Sequence, residues 1–115
     1  MKNSINTVEL LGTPVVKFVR DKRTNVKVGL VCATKGNDNR IYLGWSACNK
    51  KDDFNKEMAI KIAKGRMDKN HVCYVVNNPF DPFIYLRNPN TTKIPETYFS
   101  DLMEIGDRAV RYFKP

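Results

Sequence analysis

The side chains of this 115-residue chain that could do chemistry are mostly those of recognition. Aromatic rings stack on flat ligands, guanidinium groups clamp phosphates, and asparagine amides read base or ribose edges. Such residues gather after residue 79: Phe80, Phe83 and Tyr85, then Arg87, Asn88 and Asn90, with Arg108 and Arg111 further along. Machinery for breaking bonds is thinner. The single histidine, His71, would have to serve as base for any Ser or Cys nucleophile, and no nucleophile-elbow sequence accompanies it. Neither G-x-x-x-x-G-K-[ST] nor G-x-G-x-x-G occurs, so the usual cradles for a nucleoside triphosphate or a dinucleotide are missing. Asp52 and Asp53 form a carboxylate pair, but capping a helix N-terminus accounts for them more simply. The expectation is a binding protein, not an enzyme.

Each candidate also has a plainer reading. Phe80 and Phe83 either stack on a ligand or plug the core beneath a Pro-rich loop. Arg108 follows Glu104 by four residues and Arg111 follows Asp107 by four, the spacing of ordinary surface ion pairs on a helix. Trp45, between apolar neighbours at 41 and 43, belongs in the core. Cys32, Cys48 and Cys73 are an odd set with no C-x-x-C spacing, and with one histidine they indicate neither a disulfide framework nor a zinc site. No metal or cofactor is expected, and the cysteines read as thiols of a reducing cytoplasm.

The elements that must position these residues can be read from periodicity. At 115 residues and 42% apolar composition, one domain spanning 1–115 is expected, with a real core. Residues 15–19 and 26–34 are strand-like around the polar turn 21–25, and 40–46 alternates Ile41, Leu43 and Trp45 with Tyr42 and Gly44. From residue 49 the period changes to 3.6. Phe54, Met58, Ala59, Ile62 and Ala63 fall on one half of a helical wheel, with Asp52 or Asp53 as the N-cap. Gly65 implies a close backbone approach or a helix end, and Arg66 falls within the inward arc, where a cation needs a partner.

A fourth strand follows at 71–76, then a loop rich in Pro and Asn in which 83–86 can pair as an edge strand. From Pro95 a long amphipathic helix runs to the C-terminus, with ten residues from Tyr98 to Phe113 on its apolar half. So wide a face is expected to cover the sheet and also meet a second copy, with Gly106 allowing helices to approach, giving a homodimer or larger oligomer. The fold class is α+β: a small antiparallel sheet packed with an amphipathic helix and a long C-terminal helix.

The net charge of +8 comes from the first part of the chain, where residues 1–70 hold fifteen bases and seven acids while 71–115 hold five of each. Such a field draws polyanions. Nucleic acid is therefore an alternative partner, and a protein-inhibitor module docking its apolar helix face on a host target is another. The longest apolar run, Val28 to Ala33, is far short of the roughly 20 residues of a membrane span. With no secretory core near Met1, a cytoplasmic location is expected and no membrane partner.

The run RIYLGWSACNKKDDFNKEMAIKIAKGRM, residues 40–67, has a strand ending Gly-aromatic-Ser, then Cys, Asp and Phe-Asn-Lys, and a helix closing on Ala-x-Gly-Arg. It resembles the first-described Thoeris anti-defence family, cytoplasmic phage proteins that sequester cyclic ADP-ribose isomers made by bacterial TIR-domain enzymes. Outside residues 40–67 the likeness extends only to the order of elements. The resemblance implies a messenger bound uncleaved in a pocket at a subunit interface, and some members also hold cyclic oligonucleotides at separate sites. By position it puts the aromatic on Phe80 or Phe83, the loop asparagine on Asn90, and the helix arginines on Arg108 and Arg111. Arg66 becomes either a further anion contact or a structural ion pair.

Overall fold

A computed structural model describes residues 9–47, 54–76 and 81–113. Three long strands come first: β1 (Leu10–Arg20), β2 (Lys27–Gly36) and β3 (Ile41–Ala47). The β1–β2 turn is held by Asp21, whose Oδ1 accepts the backbone N–H groups of Arg23 at 2.8 Å and Thr24 at 3.0 Å. Helix α1 (Lys56–Asn70), β4 (Val72–Val75), the short β5 (Phe83–Tyr85), a 3₁₀ turn (Glu96–Tyr98) and α2 (Phe99–Tyr112) follow among the described residues. The strands form one antiparallel sheet in sequence order, β1-β2-β3-β4-β5. The expected α+β class, the antiparallel sheet and the long C-terminal helix are all present.

The two helices take opposite faces of the sheet. Val31, Ala33, Leu43, Trp45, Val72 and Tyr74 face α2, where Leu102, Ile105 and Ala109 are fully buried. Leu30, Cys32, Tyr42 and Cys73 face α1, where Ala59, Ala63 and Met67 bury. A strand covered on both sides cannot show a clean polar face, which is why β2 and β3 read as almost continuous apolar runs.

Four details of the sequence reading are corrected. The N-cap of α1 is Asn55, whose Oδ1 accepts the Met58 N–H at 3.0 Å; Asp52 and Asp53 lie outside the described residues. The inward line of α1 is Ala59, Ala63 and Met67, and Met58 and Ile62 are exposed. Small residues win the contact because α1 lies close on Gly44: a Cβ there would sit 2.9 Å from the Ala63 carbonyl carbon and closer still to its oxygen. Gly65 faces open space inside a continuing helix, so neither a close approach nor a helix end explains it. Gly106 does mark a close approach, but of the Tyr74 ring from β4 and not of another helix.

Arg66 finds its inward partner in Trp45, and it forms no ion pair among the described residues. Its Nη1 donates to the Trp45 carbonyl at 3.0 Å, and the guanidinium carbon lies 5.7 Å from the centroid of the Trp45 ring. Among the described residues no helix is long and apolar enough to cross a membrane.

Candidate functional site

The last two strands leave part of the α1 face uncovered, because α1 packs over β2 and β3. In β5 the pleat puts Phe83 and Tyr85 on that face, opposite Val75 and Cys73 of β4. Both rings are nearly half exposed, Phe83 at 44% and Tyr85 at 47%. They line a cleft of about 670 Å³ at the end of β3, β4 and β5, together with Asn39, Arg40, Ile41, Tyr74 and Val110. A second pocket, of about 240 Å³, adjoins it and is lined by Asp38, Arg40, Tyr42, His71, Cys73, Tyr85 and Arg87.

Local structure fixes these groups. Asn39 takes the left-handed conformation (φ 68°) that closes the β2–β3 turn, a backbone region asparagine tolerates. Asp38 holds the turn from both sides, its Oδ1 accepting the Arg40 N–H at 3.2 Å and its Oδ2 accepting the Tyr42 hydroxyl at 2.6 Å. Arg40 is thus anchored at its backbone, and its exposed guanidinium pairs with Asp38, Nε to Oδ2 at 4.0 Å, and interacts with the Cys73 thiol. His71 is the left-handed C-cap of α1 (φ 51°), its N–H donating to the Met67 carbonyl at 3.3 Å. Its ring meets Tyr42 edge-on, with centroids 5.8 Å apart, and its Nδ1 meets Nη1 of Arg87. An arginine has only N–H to offer, so Nδ1 is the acceptor and the ring proton sits on Nε2.

Burial governs the titration of the neighbouring groups. It pushes the Cys73 thiol up, and the thiol points at the His71 carbonyl oxygen, 3.6 Å away. Burial, and then the hydrogen bond to Asp38, keeps the Tyr42 hydroxyl protonated well above the ordinary phenol range. Tyr74 is raised by burial and by the nearby Asp107 carboxylate. Among the described residues no three His, Cys, Asp or Glu side chains converge as metal ligands would.

The residues singled out from sequence do not all meet. Phe83 lines the larger cleft, whereas Phe80 lies outside the described residues. Asn90 is exposed in the turn that follows β5. Arg108 and Arg111 take the ordinary helix pairing, Arg111 with Asp107, and Arg108 3.9 Å from Glu104 with a long bond to the Val16 carbonyl. Neither lines the cleft, although the Arg111–Asp107 pair acts electrostatically on Tyr74, which does. Arg66 is held by the Trp45 carbonyl and lines neither pocket.

No family model, curated protein or solved structure matches this chain. The site therefore stands on its own geometry. Arg40 is the residue that sequence reasoning missed, because an arginine ending a polar turn reads as a solvated tip. Its signal was available in retrospect: it directly precedes β3, at the end of the sheet where the exposed rings gather.

Proposed function

We propose that this protein is a non-enzymatic binding protein that captures a nucleotide-derived signalling ligand, the resemblance over residues 40–67 pointing to a cyclic ADP-ribose isomer and a phage anti-defence role in the cytoplasm. One observation carries the reading: two exposed rings, Phe83 and Tyr85, stand beside Arg40 in a cleft of about 670 Å³. A flat base fits the rings, and the guanidinium supplies the charge that a phosphorylated guest requires. The neighbouring groups favour storage over cleavage. Cys73 is a buried thiol pushed away from its reactive thiolate, and the Nδ1 of His71 is occupied by Arg87.

Capture strong enough to silence a signal needs a dissociation constant near nanomolar, about −12 kcal/mol. Stacking contributes about 1–3 kcal/mol per base and each charge-assisted bond about 1.5–3, before the cost of association. An open cleft falls short of that, so we propose that a second copy of the chain closes it in a homo-oligomer. Phe80, Asn90, Arg108 and Arg111 keep their proposed ligand contacts in that assembly. The test is isothermal titration with cyclic ADP-ribose isomers on protein sized by light scattering. Tight binding by an oligomer is expected; no heat with any isomer refutes the reading.

A second reading has its own observation. Phe18 carries Lys27 Nζ 4.1 Å and Lys56 Nζ 5.8 Å from its ring centroid, beside a groove lined by Arg20 and Lys22. That is a basic, aromatic surface of the kind that follows a nucleic-acid backbone. If it does so, affinity for DNA or RNA falls steeply with salt, whereas capture in an enclosed cleft changes much less.

A further inference from the structure

We infer that the smaller pocket is a phosphate subsite, in which Arg40 and Arg87 hold a phosphate group of the same ligand whose flat ring lies on Phe83 and Tyr85; the inference rests on the capture reading above. The pocket holds two guanidinium groups and one carboxylate, Asp38, so it carries an excess of positive charge. Asp38 accepts the Tyr42 hydroxyl and the Arg40 backbone N–H, and its ion pair with Arg40 Nε is long, at 4.0 Å. Arg87 has no carboxylate partner among the described residues. Its contact is the Nδ1 of His71, a neutral acceptor that leaves the guanidinium charge uncompensated. Only one N–H of Arg87 is used by His71, so the rest remain for a phosphate, and two guanidinium groups offer the paired N–H bonds that a phosphate takes. The tautomer set by Arg87 also keeps His71 Nε2–H as a donor at the same rim.

Position ties the pocket to the larger cleft. Arg40, Cys73 and Tyr85 line both, so a ring on one side of Tyr85 and a phosphate on the other belong to a single nucleotide-sized guest. The pocket's 240 Å³ suits one compact group. Its walls are also set in advance, by the left-handed cap at His71 and by the Asp38 turn. Preorganised donors of this kind lose little freedom on binding.

Adenosine, AMP and inorganic pyrophosphate are the probes, titrated calorimetrically into wild type and the variants Arg87→Gln, Arg40→Gln and Phe83→Ala. All three side chains are exposed, and an amide NMR spectrum confirms that each variant keeps the fold. Arg87→Gln and Arg40→Gln are expected to weaken AMP and pyrophosphate about tenfold each, near 1.4 kcal/mol, and leave adenosine unchanged. Phe83→Ala is expected to weaken adenosine and AMP and spare pyrophosphate. Arg87→Lys, which keeps the charge but loses the planar fork, should recover only part of the loss. The subsite is refuted if neither arginine variant alters AMP or pyrophosphate binding, if wild type binds no pyrophosphate, or if adenosine suffers as much as AMP. The two proposals fail separately. Arginine-dependent AMP binding without any cyclic ADP-ribose binding removes the messenger and keeps the subsite, whereas messenger binding indifferent to both arginines does the reverse.

Discussion

Replacing Gly106 with alanine puts a methyl group 2.5 Å from Cδ1 and 2.9 Å from Cβ of Tyr74, and nearer still to Cγ. These atoms are the root of a ring that is only 6% exposed, so the tyrosine cannot swing its far end aside to make room. Overpacking of that kind costs about 1–3 kcal/mol, and the hard contact with the ring root places this site near the upper end. Alanine returns about 1 kcal/mol of helix propensity, leaving a net loss of about 2 kcal/mol. Gly65 supplies the internal control. It is also a mid-helix glycine, but a methyl group there meets open space, so Gly65→Ala should gain about 1 kcal/mol. Urea unfolding at unchanged m value measures both, and on a thermal scale each kcal/mol moves Tm by about 4 °C at this size. Shifts of the same sign in the two variants, or a neutral Gly106→Ala, would refute the packing of α2 on Tyr74. Because Tyr74 also lines the larger cleft, Gly106→Ala should weaken ligand binding while Gly65→Ala does not.

Other substitutions probe separate parts of the account. Arg66→Met removes the bond to the Trp45 carbonyl and the cation over its ring, so it should cost about 1–2 kcal/mol and shift tryptophan emission while leaving ligand affinity unchanged; lost affinity in a stably folded variant would return Arg66 to the site. Asn55→Ala removes the α1 cap and should cost about 1 kcal/mol in urea unfolding, and an unchanged midpoint would place the cap elsewhere. Burial raises the Cys32 thiol from 9.0 to about 12, so the folded chain keeps a proton that the unfolded chain releases. The stabilisation from that thiol is whole below about pH 9 and is lost as pH rises from about 9 to about 12. Cys32→Ala should flatten the fall in stability over that window by about 1.4 kcal/mol per pH unit, and an identical slope would contradict the buried thiol.

Much of the fold could be read from residues 15–46, where β-branched runs are punctuated by Asp21–Asn25 and by the turn at Asn39. The start of β1 could not. The sequence reading starts the first strand at residue 15, yet β1 begins at Leu10 and runs through Gly12 and Pro14, because its pairing with β2 shifts register between Leu11 and Val15 and Gly12 takes a positive φ of 72°. The wheel for α1 placed Ala59 and Ala63 correctly and misplaced Met58 and Ile62 for a different reason. Hydrophobicity favours Met58 and Ile62, but the close approach over Gly44 selects small side chains along the contact line. At the site, Phe83 was legible by type and loop position. Arg40 was not, because its importance comes from strand register, which brings the β2–β3 turn beside β4 and β5. The pairings of Arg108 and Arg111 were visible as i,i+4 spacing, and the single chain takes that option.

The most direct measurement is the mass of what the protein releases. Purified chain is incubated with a cyclic ADP-ribose isomer, freed of excess ligand by filtration, and heat-denatured, and the supernatant is analysed by mass spectrometry. The intact isomer is expected in stoichiometric amount, with retention lost in Phe83→Ala. An empty supernatant, or a cleaved product in place of the isomer, would contradict capture without cleavage.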